Sequence, residues 1–242
     1  MPNPLFCIAH RGGSRNHTEN TLEAFQESLA LGVDAIELDV WQVGDSLLIT
    51  HDRRLGKTLP GQGRLADHNP EHLKSLQLAC GASLTTLQEV LQLLGDKVLL
   101  NIELKGPHCA ATVARALESF SSDHGLGTDH YLVSSFDHQQ LYQFKQRLPD
   151  VKRGVLEAGV PLNYGATADA LEAYSIHPNV DFINQAMVDD AHRRGFKVWS
   201  YTVNEPDDLQ QMQSMGVDGV FTDYPRRVMA LNQELSADHI SR

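Results

Sequence analysis

Short apolar runs rich in β-branched residues recur along the chain and alternate with stretches whose apolar positions fall three or four apart. The first pattern predicts buried strands and the second amphipathic helices. Eight barrel strands are expected, over residues 5–10, 34–40, 98–105, 130–135, 152–157, 173–177, 197–203 and 219–223. Asn20, with Glu23 three positions on, reads as a helix start; Leu22, Phe25 and Leu29 supply its apolar stripe and Gly32 ends it. Residues 85–94, 108–120, 137–147 and 184–194 read as further helices. Strands alternating with helices imply parallel strands joined by helical crossovers, so the expected class is α/β, a (β/α)8 TIM barrel. One excursion interrupts the alternation. Residues 47–50 form an additional short strand and a Gly-rich stretch follows, giving an insertion over about 46–83 after the second barrel strand. A long connection of this kind is usually functional or disordered, and residues 53–83 are expected to cover part of the barrel mouth.

The 242 residues, 41% of them hydrophobic, suffice for one large core, and residues 1–242 are expected to form a single domain. A net charge of -11 spread along the sequence offers no basic stripe for a nucleic-acid backbone. Cys7, Cys80 and Cys109 are odd in number and far apart, which fits neither a disulfide framework nor a zinc site and points to a reducing compartment. No charged leader precedes the first apolar run, and no window approaches the run of about 20 apolar residues that spans a bilayer. A cytoplasmic protein without a membrane span is expected.

Candidate chemistry follows from strand alternation. In DAIELDV, Ile36, Leu38 and Val40 share one face while Glu37 and Asp39 share the other. In VLLNIELK, Leu100, Ile102 and Leu104 face the helices, leaving Asn101, Glu103 and Lys105 inside. Glu37, Asp39 and Glu103 would therefore converge at the carboxyl end of neighbouring strands, where barrel enzymes place their chemistry. Buried like charges force protonation unless a cation neutralises them. All-oxygen ligands with no Cys nearby favour one hard divalent cation, Mg2+ or Ca2+. The competing reading is a purely ionic interior in which Glu37 and Asp39 pair with Arg11 and Lys105. His10 and His51 end strands around the acids, so one imidazole can take a proton from a nucleophile while the other gives one to a leaving alkoxide. Arg11 can fork onto phosphate oxygens and Lys105 can add a point charge. Together these groups suit cleavage of a phosphodiester.

Ordered segments then carry a resemblance: HRGG at 10–13, ENTLEAF at 19–25, IELDV at 36–40, THD at 50–52, TLQEVL at 86–91, NIELK at 101–105, SSFDHQQL at 134–141, YTVN at 201–204 and GVDGVFTDYP at 216–225. The chain resembles the glycerophosphodiester phosphodiesterase family, related to the phosphatidylinositol-specific phospholipases C. The resemblance implies that Glu37, Asp39 and Glu103 ligate the metal, that His10 and His51 are the acid and base, and that Arg11 and Lys105 contact phosphate. It implies hydrolysis of small-molecule glycerophosphodiesters, the deacylated phospholipids, to glycerol 3-phosphate and an alcohol. Phe136, Tyr201 and Glu157 end strands and are expected to line the glycerol side of the pocket. Departures are His17 and Thr18 where the family has Pro before ENT, Tyr201 where it usually has Trp, and LGKT at 55–58. His17, His68, His72, His124, His138, His192 and His239 read as solvated surface residues. Two other readings use the same residues. One is a lysophospholipase D or phospholipase C acting on intact lipids, which needs an apolar docking patch that the insertion does not supply. The other is a barrel that binds a phosphodiester without cleaving it.

Overall fold

The computed structural model describes residues 3–13 and 17–240, with side chains as far as residue 235. In chain order its elements are β1 (Phe6–Ala9), α1 (Leu22–Leu31), β2 (Ala35–Val43), β3 (Ser46–Ile49), α2 (Pro70–Ser75), α3 (Leu87–Leu94), β4 (Leu99–Leu104), α4 (Ala110–His124) and β5 (Tyr131–Ser135). They continue with α5 (His138–Lys145), β6 (Lys152–Glu157), α6 (Ala166–Leu171), β7 (Ser175–Pro178), α7 (Gln185–Arg193), β8 (Lys197–Ser200), α8 (Pro206–Ser214), β9 (Gly219–Thr222) and α9 (Pro225–Ile240). β1 pairs in parallel with both β9 and β2, so the eight parallel strands close into a (β/α)8 barrel. β3 is the exception, turning back antiparallel on the outer end of β2 with Val40 opposite Ile49.

Alternation along the strands decides where the core lies. Ile36, Leu38 and Val40 on β2, and Leu100, Ile102 and Leu104 on β4, pack outward against Phe25, Val90 and Leu117 from the helices. Each such burial stabilises the fold by roughly 1.5–3 kcal/mol. Cys7 belongs to the same outer layer. A smaller interior cluster of Ile8, Ala35, Leu132, Trp199 and Phe221 fills the barrel below the mouth.

Three local expectations change. Helix α1 is capped by Thr21, whose hydroxyl accepts from the Ala24 N–H at 3.3 Å; Asn20, with φ at 59°, is drawn away to the barrel interior. The sixth barrel strand lies slightly later than 173–177, at Ser175–Pro178. The insertion is not a structureless cover. It contains a turn of 3-10 helix at Leu65–Asp67 and helix α2, and its Leu55, Leu59, Leu65, Leu73 and Leu78 bury themselves against Trp41 and Leu48. Those leucines pull the segment onto the β2–β3 side of the molecule, and His51 is the last residue before it that lines the mouth cavity. No helix among the described residues is long and apolar enough to cross a membrane.

Candidate active site

The carboxyl ends of β1, β2 and β4, with the second residue after β3, bring the expected charged groups together. Parallel register sets Asp39 beside Glu103, and both face the interior with Glu37. One oxygen from each of the three carboxylates lies within 4.8 Å of the others, and all three side chains are buried. The Thr50 N–H donates to the Asp39 carbonyl at 3.0 Å, which brings His51 alongside the acids. After β1, Gly12 and Gly13 take φ of 84° and 69°, and a Cβ on Gly12 would run into Ala24 and Phe25. That tight turn lets His10 and Arg11 stay at the mouth while α1 packs close behind.

The pairing between acids and bases is uneven. The Arg11 N–H donates to Glu37 Oε2 at 2.8 Å, its Nε stands 3.4 Å from Asp39 Oδ2, and its Nη1 donates to both oxygens of Glu19 at 3.0 Å. Lys105 Nζ donates to Glu103 Oε1 at 2.8 Å and stands 3.4 Å from Asp39 Oδ1. Asn20 Nδ2 donates to Asp39 Oδ2 at 3.0 Å. Glu37 Oε1 and Asp39 Oδ1 are nevertheless buried without a hydrogen-bond partner. Burial, reinforced by Asp39 and Glu103, pushes the Glu37 carboxyl well above the usual carboxylate range. Burial also raises Glu103, to about 7, with Asp39 adding to the shift and Lys105 opposing it. Burial works in the same direction on Asp39, but Lys105, Arg11 and the two imidazoles outweigh it and hold that carboxyl below its ordinary value. Two cationic side chains thus face three carboxylates, and Arg11 is shared with Glu19; the surplus negative charge leaves Glu37 Oε1 without a donor and Asp39 Oδ1 with only the Lys105 ion pair at 3.4 Å. The donor set, three hard carboxylates with two oxygens to spare, fits a hard divalent cation.

Each imidazole is held by a carboxylate. His10 Nδ1 is 2.8 Å from Asp223 Oδ1, and Asn204 Nδ2 donates to Asp223 Oδ2 at 2.8 Å. His51 Nδ1 is 3.3 Å from Asp52 Oδ1, and the Thr58 hydroxyl donates to Asp52 Oδ2 at 2.8 Å. Burial lowers the His51 pKa, with Asp39 opposing and Lys105 and Arg11 reinforcing.

The other side of the mouth carries the apolar part of the lining, with Ser134, Asn179 and Thr202 among it. A cavity of about 210 Å³ runs from His10, Arg11, Glu37, His51, Glu103 and Lys105 to Phe136, Leu156, Tyr201 and Phe221. Phe136 meets Tyr201 edge-on at 5.7 Å between ring centroids, and Lys105 Nζ lies 5.5 Å from the Phe136 centroid. Glu157 departs from expectation. Its strand neighbour Leu156 lines the cavity and Glu157 does not, because successive strand residues face opposite ways. Its carbonyl accepts from the Tyr201 hydroxyl at 3.0 Å, and burial raises its carboxyl to about 7. Larger concavities of about 900 and 560 Å³ lie at the opposite end of the barrel and between α3 and α4, away from every acid of the cluster.

Several residues at the site were not singled out from the sequence: Asn20, Asp52, Asn204 and Asp223. All lie inside the ordered segments ENTLEAF, THD, YTVN and GVDGVFTDYP, which was the available signal. His17, His68, His72 and His192 lie away from the cavity, as expected; His17 Nε2 pairs with Glu27 at 2.6 Å. The side chain of His239 lies outside the described residues.

The fold and this cluster define a class, the (β/α)8 barrels that carry a charged site at the carboxyl ends of their strands. Within that class, the chain belongs to the glycerophosphoryl diester phosphodiesterase family, whose model matches residues 10–227. It is 34% identical over 238 residues to a glycerophosphodiester phosphodiesterase of Caldanaerobacter subterraneus, covering 93% of this chain and 96% of that one. It is 32% identical to a glycerophosphodiester phosphodiesterase of Bacillus altitudinis, covering 94% of this chain and 98% of the relative. Among solved structures, an Oleispira antarctica phosphodiesterase in complex with its product sn-glycerol-3-phosphate superposes with a TM-score of 0.84 at 27% identity, covering 92% of this chain and 94% of that one.

Proposed function

We propose that this protein hydrolyses glycerophosphodiesters to glycerol 3-phosphate and an alcohol, with one divalent cation, Mg2+ or Ca2+, at Glu37, Asp39 and Glu103, and with His10 and His51 as the proton-transferring pair. The observation that carries the reading is the cluster of three carboxylates within 4.8 Å, flanked by the two histidines at the cavity wall. The names of the relatives support the substrate class, and the product bound by the Oleispira enzyme supports the glycerol 3-phosphate half. Bound there, the cation supplies Lewis-acid stabilisation of a non-bridging phosphate oxygen.

The remaining work falls to side chains. With Asp223 and Asp52 ionised, each imidazole carries its proton on Nδ1 and presents Nε2 as the working nitrogen. One histidine, neutral and with Nε2 free, takes the proton of the attacking hydroxyl, whether of water or of the substrate's own glycerol; the other, protonated on both nitrogens, gives its Nε2 proton to the departing alkoxide. Lys105 and Arg11 balance the phosphate charge. Phe136 and Tyr201 pack the organic arm, and Glu157 acts on it only through the Tyr201 hydroxyl that its carbonyl holds.

Release of glycerol 3-phosphate from a panel of glycerophosphodiesters is expected with Mg2+ or Ca2+ and is lost in EDTA. Silence with both ions would defeat the reading. His51→Ala should lower kcat by about 10²–10⁴ while titration calorimetry shows cation affinity nearly unchanged. Equal loss of both would make His51 a structural residue.

A further inference from the structure

Asn20 ties together two of the strands that carry the site. Its backbone N–H donates to the Arg11 carbonyl at 2.9 Å, which fixes it to the turn after β1. Its side chain reaches β2, where Nδ2 donates to Asp39 Oδ2 at 3.0 Å and Oδ1 accepts from the Asp39 N–H at 3.4 Å. The amide thus grips both the main chain and the carboxylate of one residue, and that carboxylate cannot turn without losing it.

The identity of the residue follows from its place. Asn20 has φ at 59°, in the left-handed region, and is only 3% exposed. Glycine, asparagine and aspartate enter that region at least cost. Glycine has no side chain to reach Asp39, and aspartate would set a second carboxylate against Oδ2 with no N–H to give. Asparagine meets both demands. The helix start asks nothing of it, since Thr21 caps α1. A buried amide costs desolvation unless its hydrogen bonds are made, so a backbone turn alone gives no reason to keep one here.

Each acid of the cluster has one oxygen held by the protein. The Arg11 N–H holds Glu37 Oε2, Lys105 holds Glu103 Oε1, and Asn20 holds Asp39 Oδ2. Asp39 Oδ1 is left without a hydrogen bond, with Lys105 Nζ at 3.4 Å. The cationic side chains of Arg11 and Lys105 also balance phosphate charge, so a substrate competes with Asp39 for them. A neutral amide has no such second duty and keeps its hold whichever way those cations turn.

We infer that Asn20 is the positioning residue of the cation site, holding Asp39 by Oδ2 so that Oδ1 stays available to a hard divalent cation. It sets the affinity of the site through Asp39, without touching cation or substrate. This rests on the reading of Glu37, Asp39 and Glu103 as cation ligands.

The test is titration calorimetry with Mg2+ and with Ca2+ on the unsubstituted protein, Asn20→Gly and Thr21→Ala. Glycine keeps the left-handed backbone and deletes the amide. Thr21→Ala removes the cap of α1 and leaves Asp39 alone, so it shows what destabilising this segment does by itself. Asn20→Gly is expected to weaken cation binding about 10- to 100-fold, as for other partners that orient a metal ligand. Thr21→Ala should lower the urea midpoint in EDTA yet bind the cation within about twofold of the unsubstituted protein. Asn20→Ser, whose hydroxyl is too short to reach Asp39, should match the glycine variant and serves where that variant fails to fold. Raising the cation concentration should restore most of the turnover of Asn20→Gly; turnover that stays low at saturation would make Asn20 part of the chemistry and overturn a positioning role. Unchanged affinity without the amide, or equal weakening in Thr21→Ala, would overturn it too. Binding that ignores Asn20 removes this inference alone, whereas an unsubstituted protein that binds neither ion strikes the underlying cation site.

Discussion

Asp39 shows how three similar acids come to differ. It accepts from Asn20, stands against Arg11 and Lys105, and stays ionised, while burial and mutual repulsion raise Glu37 and Glu103. The pairing of His10 with Asp223 is equally specific, since Asn204 and the Asp223 N–H, which donates to Asn204 Oδ1 at 2.9 Å, fix the carboxylate on both sides. Asp223→Asn removes the negative charge that holds the Nδ1 proton and puts an N–H2 donor in place of one accepting oxygen. We expect kcat to fall about 10- to 100-fold, with circular dichroism and cation affinity preserved; an unchanged kcat would mean that His10 needs no such partner. The acids were legible in the sequence because strand periodicity alone assigns Glu37, Asp39 and Glu103 to the interior. Asn20 was misread because its partner lies 19 positions away, and a helix start beside it suggested the local role that Thr21 fills. Asp223 escaped notice because it reaches His10 across 213 positions, through the closure of β9 on β1.

At the scale of strands, the barrel below the mouth depends on a fit between β6 and β7. His177 is fully buried, its Nε2 meets the Ser175 hydroxyl at 2.7 Å, and its ring lies against Trp199 and Phe221. Gly154 on the adjacent strand leaves it room, and a Cβ there would run into the imidazole. Gly154→Ala is therefore expected to destabilise the protein by about 1–3 kcal/mol, read as a lower urea midpoint; an unchanged midpoint would show that the ring can move aside. Burial pushes the His177 pKa down to about 3. Unfolded histidine gains its proton near pH 6.5, so between these values the unfolded chain binds more protons than the folded one. The contribution of His177 to stability is then fully present above pH 6.5 and drains as pH falls toward 3. His177→Gln should flatten the fall in urea midpoint between about pH 6.5 and 4.5. The eight strands were legible from apolar runs, but α6, α8 and α9 were not singled out. The insertion's order was hidden because its leucines lack a helical or strand period and only find one another in three dimensions.

For the molecule as a whole, the buried acid cluster sets function against stability. A chain of net charge -11 places three more-or-less dry carboxylates at one end of its barrel, and Glu37 Oε1 and Asp39 Oδ1 lack hydrogen bonds. If these acids exist to hold a cation, binding must favour the folded state, because the unfolded chain has no such cluster. Mg2+ or Ca2+ at about 100 times its Kd would then add about 2.7 kcal/mol, or roughly 5–10 °C in Tm for a chain of this size. Glu37→Gln keeps an acceptor for the Arg11 N–H while removing one buried charge. In EDTA the variant should melt no lower than the unsubstituted protein, and its gain on adding cation should shrink. The ionic-interior alternative predicts the reverse. If Glu37 served only to balance nearby positive charge, the substitution would leave the Arg11 guanidinium to Glu19 and Asp39 alone, the variant would melt lower in EDTA, and neither protein would respond to the cation. Differential scanning calorimetry of the two proteins, with and without each ion, separates these outcomes without any measurement of turnover.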